Sequence, residues 1–168
     1  MSWQEMLCQK KFYGMCAMLL CGGLSGMMVI SSASDMAQVE AGFSPAAAAL
    51  MVSVLSLFNA GGRASAGILS DKLGRIGTLS LVFPISVAAL FAVSIALVGA
   101  CFGALMGIFP GFTADEFGQR NNTVNYGILF FGFALSGMLG PQVASWVMSG
   151  TGSYRSAFLI AAVVALAG

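Results

Sequence analysis

Histidine is absent from this chain and charge is scarce, with seven Lys/Arg and six Asp/Glu making up 8% of 168 residues. Without histidine, the commonest general base and the commonest zinc ligand are both missing. Enzymatic catalysis, a metal centre and a cofactor are therefore not expected. The charged fraction lies far below the roughly 25% of soluble domains. With 58% hydrophobic residues and a mean hydropathy of +0.92, this reads as an integral membrane protein. A net charge of +1, with no block of like charge, leaves no electrostatic footprint for nucleic acid. Cys8, Cys16, Cys21 and Cys101 are scattered, three of them in apolar runs where a thiol packs as a small hydrophobe. They form neither a disulfide frame nor a metal site.

What is present is a series of apolar runs separated by short polar stretches. Residues 1–11 carry Glu5 and Lys10-Lys11 but no small-residue cleavage site follows, so they read as a cytoplasmic interfacial lead-in rather than a signal peptide. Residues 12–34 form the first span, about 35 Å long as a helix. Asp35 to Ser44 is a polar connector, and Ser44-Pro45 reads as an N-cap followed by proline at the first helical position. The second span, Ala46 to Leu69, carries Asn59 and Arg63 and closes on Ser70-Asp71-Lys72-Leu73-Gly74-Arg75.

From Thr78 to Phe112 no residue is charged. As one helix this run would be about 52 Å long, well over a hydrocarbon core of about 30 Å. Two shortened helices are expected, with Ser94 to Gly99 as the hinge. Asp115 to Asn122 is the next polar loop, and Val124 to Met148 is a glycine-rich span with Pro141 as a late kink site. Gly150 to Ser153 makes a turn, and the last run, Ala157 to Gly168, covers only about 18 Å, as a truncated helix would. With the hairpin, Lys10, Lys11, Lys72, Arg75 and Arg120 share one side and Arg155 lies opposite, which satisfies the positive-inside rule. Charge bias puts the Asp71 loop on the cytoplasmic side of the membrane whether 78–112 is a hairpin or one helix.

The stretch Asn59 to Arg75 carries the motif. Gly67 permits close packing near the helix end, Asp71 is placed to accept from backbone donors of the next helix, and Gly74 permits a tight turn. Lys72 and Arg75 hold the loop at an anionic leaflet. Gly67-x-x-x-Asp71-Lys72-x-Gly74-Arg75 resembles the cytoplasmic signature of the major facilitator superfamily, with Ile76 where that pattern usually has a second basic residue. Three further stretches are similar to the C-terminal half of the oxalate/formate antiporter family. They are Asn59-x-x-x-Arg63, Phe109-Pro110-Gly111-Phe112-Thr113-Ala114-Asp115, and Asn125-Tyr126-Gly127-Ile128-Leu129-Phe130 continuing to Gly140-Pro141.

The resemblance implies an all-α integral membrane fold, a partial major-facilitator fold of about six transmembrane helices. Residues 12–168 would form the C-terminal half-domain of a multi-pass carrier in the cell inner (plasma) membrane. Its partners would be the lipid bilayer, a small carboxylate anion and a missing N-terminal six-helix half. An arginine at the place of Arg63 is implicated in substrate binding, and a planar guanidinium suits bidentate capture of a carboxylate. A charge at membrane depth costs about 2.5–3.5 kcal/mol on insertion scales and turns toward protein or a water-filled cavity, so a structural role for Arg63 stays open beside substrate binding. Asn59 either lines the same cavity or bonds across helices. Tyr126 and Asn125 either reach that cavity or, for the tyrosine, anchor at the interface. The Asp71 loop reads as a conformational latch rather than a ligand site.

In an oxalate carrier the resemblance implies a second basic residue on the penultimate helix. Here Val124 to Met148 contains neither Lys nor Arg, and Phe133 stands at that place. A monocarboxylate such as formate, lactate or pyruvate matches one cation better than a dianion does. The alternatives are a non-transporting fragment of a split or truncated carrier gene, or a small subunit that needs a separately encoded half.

Overall fold

Each long apolar run folds as a helix whose ends are set by local signals. In a computed structural model of the protein, residues 1–39, 41–91 and 95–166 are described, and among these there is no strand. The helices are α1 (Trp3–Leu7), α2 (Lys10–Ser31), α3 (Ala33–Val39), α4 (Pro45–Leu73), α5 (Arg75–Phe91), α6 (Ile95–Phe117), α7 (Asn122–Leu129), α8 (Phe131–Thr151) and α9 (Tyr154–Leu166), with a 3-10 turn at Gln119–Asn121. Among the described residues four helical stretches are long and apolar enough to cross a membrane, and α5 and α9 are shorter apolar helices. The protein is a multi-pass membrane protein.

Ser44 caps α4, its hydroxyl accepting from the Ala47 amide at 3.3 Å, with Pro45 in the first turn. Two other boundaries differ from the sequence reading. The helix of the second span continues through Ser70, Asp71 and Lys72 to Leu73, so the expected loop shrinks to Gly74, whose φ of +77° only glycine adopts at little cost. Likewise α6 continues through Asp115 and Glu116 to Phe117 and ends on Gly118, φ +85°. In both extensions the carboxylates, Asp71 in α4 and Asp115 and Glu116 in α6, are paired with cations of other helices. Arg75 Nε donates to Asp115 Oδ2 at 3.0 Å, and Lys11 Nζ lies 2.6 Å from Glu116 Oε2.

These pairs also fix the topology. Arg75 opens α5 and Asp115 sits in the last turn of α6, so the two helices form a hairpin whose ends meet. Part of the expected hinge, Ser94, lies outside the described residues, while Ile95 to Gly99 are already helical. The hairpin is unequal: α5 has 17 residues and α6 has 23, so α6 is not shortened. The connector after the first span is partly helical, as α3. The penultimate span passes from α7 to α8 at Phe130, which keeps right-handed helical φ and ψ, and Pro141 is accommodated inside α8.

A run of glycines seats α4 on α6. A Cβ on Gly62 would overlap the carbonyl of Ala100, one on Gly103 would overlap the carbonyl of Asn59, and one on Gly107 would come within 2.7 Å of the Arg63 carbonyl. Gly99 meets Leu55 in the same register. The contacts of Gly99 with Leu55, Gly103 with Asn59 and Gly107 with Arg63 ascend together along both helices, so α4 and α6 are parallel neighbours with backbones in contact, as small residues permit in a membrane. The second parallel pair, α2 and α8, uses Gly132 against Cys16, Gly23 against Ser136 and Gly140 against Met27 and Met28. Two apolar clusters fill the space between the pairs, one around Leu19, Phe109, Phe117 and Leu129 and the other around Met28, Val98, Phe158 and Ala161.

Candidate functional site

The packing of α4 on α6 decides where Arg63 goes. Its backbone lies against Gly107, which leaves the side chain to leave the helix sideways, toward α7 and α8. It there lines a cleft of about 350 Å³ together with Met106, Thr123, Tyr126, Gly127, Phe130 and Phe133. Asn59, one turn earlier, accepts from Arg63 Nε through its Oδ1 at 3.1 Å. That bond takes one edge of the guanidinium and leaves the two terminal nitrogens, the pair that grips a carboxylate bidentately. Arg63 is exposed in this chain and has no acidic partner among the described residues.

Of the four residues singled out for the anion, Arg63 and Tyr126 share the cleft and Asn59 orients the guanidinium from the same helix. Asn125 stands elsewhere. It is fully buried, its Nδ2 lies 3.5 Å from the Met1 carbonyl, and its Oδ1 has no partner among the described residues. It therefore packs under the N-terminal helix α1, whose Met6 is also fully buried. Phe133, expected from the resemblance at the place of a second cation, lines the same cleft as Arg63.

The motif residues gather around Arg75. Its Nη1 is 2.9 Å from Asp71 Oδ1, its Nε is 3.0 Å from Asp115 Oδ2, and it also donates to the Ser70 hydroxyl. Asp71 thus meets a guanidinium rather than backbone donors. Gly111 makes the reach possible, because a Cβ there would come within 2.8 Å of the Arg75 guanidinium. Gly67 has nothing within 4 Å of its would-be Cβ, so no described residue packs closely on that side of it, and Lys72 is exposed with no ion pair among the described residues. The carboxylates are open to solvent, Asp71 at 70% and Asp115 at 55%, against 22% for Arg75. Each pair alone is weak, about 0.2–1 kcal/mol.

The sequence reading passed over Asp115 as a partner of Arg75, although a signal was there. Gly67-x-x-x-Asp71-x-x-Gly74 recurs as Gly111-x-x-x-Asp115-x-x-Gly118, and in both copies the last glycine has positive φ and the aspartate meets Arg75. The four-residue period of Gly99, Gly103, Gly107 and Gly111 was the corresponding signal for the α4–α6 contact. Thr123 and Met106 carried no signal that set them apart from other helix residues, and Phe130 was marked only as the end of the stretch Asn125 to Phe130.

Comparison with known proteins adds to this geometry. No protein-family model matches the chain. It is 34% identical over 143 residues, 78% of its length, to an uncharacterised MFS-type transporter, YhjX, of Escherichia coli (strain K12), and spans 36% of that protein. It is 28% identical over 172 aligned positions to the oxalate:formate antiporter of Oxalobacter formigenes, covering 95% of this chain and 41% of the relative. The chain belongs to the major facilitator superfamily. A further relative, monocarboxylate transporter 12 of Xenopus laevis, is 27% identical over 137 residues, which cover 73% of this chain and 30% of that protein. These relatives are transporters, not enzymes. The chain spans 36% and 41% of the length of the first two.

Proposed function

We propose that this chain is the C-terminal six-helix half of a secondary carrier for small carboxylates, working in a cell inner membrane, and that Arg63 binds the anion. The observation that carries this is the Arg63 cleft: one guanidinium, oriented by Asn59 and facing an aromatic wall, in an apolar helix bundle. Relatives named for oxalate:formate exchange and for monocarboxylate transport support the substrate class. A single cation suits a monocarboxylate such as formate, lactate or pyruvate.

The arrangement of residues around α4 supports a second six-helix half. Leu55, Gly62 and Ala66 are buried on one side, and Leu50, Val54, Leu57, Phe58 and Ile68 present large apolar groups elsewhere. A third side carries Ser53, Ser56, Ala60, Ala64 and Gly67, spaced three or four apart and little buried, which suits the close approach of another helix. Arg63 falls between the packed side and this small-residue side, at the seam where a substrate cavity between two halves would open. Arg75, bridging Asp71 and Asp115, then acts as the cytoplasmic latch that stabilises one of two conformations. The exposed small-residue side also favours a second reading, a subunit that transports only with a separately supplied half.

Uptake of labelled lactate into proteoliposomes tests the proposal, with this chain alone and with the amino-terminal half of a relative co-reconstituted. Uptake that is lost in Arg63→Gln supports it. Full uptake in Arg63→Gln would remove Arg63 from substrate binding, and absence of uptake in both preparations would contradict the carrier reading.

A further inference from the structure

The wall opposite Arg63 is a row of rings. Tyr126 and Phe130 have centroids 5.4 Å apart, Phe130 and Phe133 are 4.6 Å apart, and Phe133 continues to Phe102 at 5.9 Å. The first three line the cleft, and Arg63 is its one charged lining residue. The cleft, at about 350 Å³, has the size of sites that hold organic ligands with a carbon skeleton, roughly 300–1,000 Å³. A formate held on Arg63 would leave most of it to water. The ring pairs are tilted, by 54° and 40°, so the wall offers both edges and faces to a further ring, the geometry in which arenes attract one another. Met106 adds a thioether, which adapts to an aromatic edge. A second carboxylate at the far end of a ligand would meet ring faces, whose quadrupole is negative, and no second cation lines the cleft among the described residues.

From this we infer that the cleft selects a monocarboxylate carrying an aryl tail, its carboxylate on Arg63 and its ring against Phe130 and Phe133. The inference rests on Arg63 being the anion-binding group, as proposed above, and makes Phe133 and Phe130 the residues that set specificity.

Equilibrium binding of labelled phenylacetate, acetate and oxalate to the purified full chain in lipid nanodiscs tests it. Phenylacetate is expected to bind about tenfold or more tighter than acetate, with oxalate no tighter than acetate. Phe133→Ala is expected to bring the phenylacetate-to-acetate ratio to within about twofold, and Phe133→Leu, which keeps bulk but removes the ring, to an intermediate value. Helix content by circular dichroism identifies any variant that fails to fold, and Phe130→Leu then takes its place. Equal binding of phenylacetate and acetate, both lost in Arg63→Gln, would overturn the aryl specificity and leave the anion site standing. Binding of both ligands that survives Arg63→Gln would overturn the anion site itself. A phenylacetate preference that persists in the ring variants, or the absence of phenylacetate binding, would also overturn the inference.

Discussion

Gly103→Ala adds a single methyl group at the tightest part of the α4–α6 seam, where a Cβ would overlap the Asn59 carbonyl. A backbone oxygen cannot rotate away as a side chain can, so α4 must move outward by about 1 Å or more to restore ordinary contact distance. Overpacking of this kind costs typically about 1–3 kcal/mol. Alanine regains about 0.8–1.0 kcal/mol of helix propensity over glycine. The net loss is therefore roughly 0–2 kcal/mol, with a fall in midpoint of up to about 4–8 °C for a chain of this size. Gly61→Ala is the matched control. Nothing lies within 4 Å of its would-be Cβ, so only the propensity gain remains and stability should hold or rise. Spin labels at Ser56 and Leu97 would report the helix separation by dipolar spectroscopy, and a thermal melt would report stability. The same displacement carries Asn59 and Arg63 away from Tyr126, so carboxylate affinity should fall several-fold in Gly103→Ala alone. If Gly103→Ala and Gly61→Ala melted together and bound carboxylate alike, the reasoning that backbone contact positions Arg63 would be refuted.

Asp115→Asn removes one of the two carboxylates on Arg75, and because both are well exposed the loss should be at most about 1 kcal/mol, a shift of up to about fivefold in the conformational equilibrium. Rates of thiol labelling at an introduced Glu116→Cys would measure it, and an unchanged rate would argue against a latch. Lys72→Cys and Gln119→Cys, each in a background lacking the four native cysteines, should be labelled from the same side of the membrane, whereas labelling from opposite sides would refute the α5–α6 hairpin. Asn59→Ala should lower carboxylate affinity a few-fold by freeing the guanidinium to rotate, without the full loss expected of Arg63→Gln; equal losses in a titration of the two variants would assign Asn59 a direct role in binding.

The features set by neighbouring residues were legible in the sequence. Ser44-Pro45 caps α4 as expected, Gly74 takes the positive φ its position requires, and the uncharged run after Thr78 divides into two helices. What was not legible depends on groups distant in the chain. Ser70 to Lys72 and Asp115 to Phe117 read as loops because polar composition near a membrane edge resembles a loop. They remain helical with Arg75 and Lys11 supplying counter-charges from other helices. Asn125 was read toward the Arg63 cavity from its place in a motif, yet α1 docks on its face of α7 and buries it. Tyr126, one residue on, turns about 100° around the helix and reaches the cleft that Arg63 lines.

Reaction of the arginines with phenylglyoxal, read peptide by peptide in the mass spectrometer, probes the anion site most directly. Arg63 and Arg120 are both exposed, so both should react in the empty protein. Adding a saturating monocarboxylate should slow modification of Arg63 by an order of magnitude or so and leave Arg120 unchanged; equal rates at Arg63 with and without the carboxylate would contradict its assignment as the group that holds the substrate.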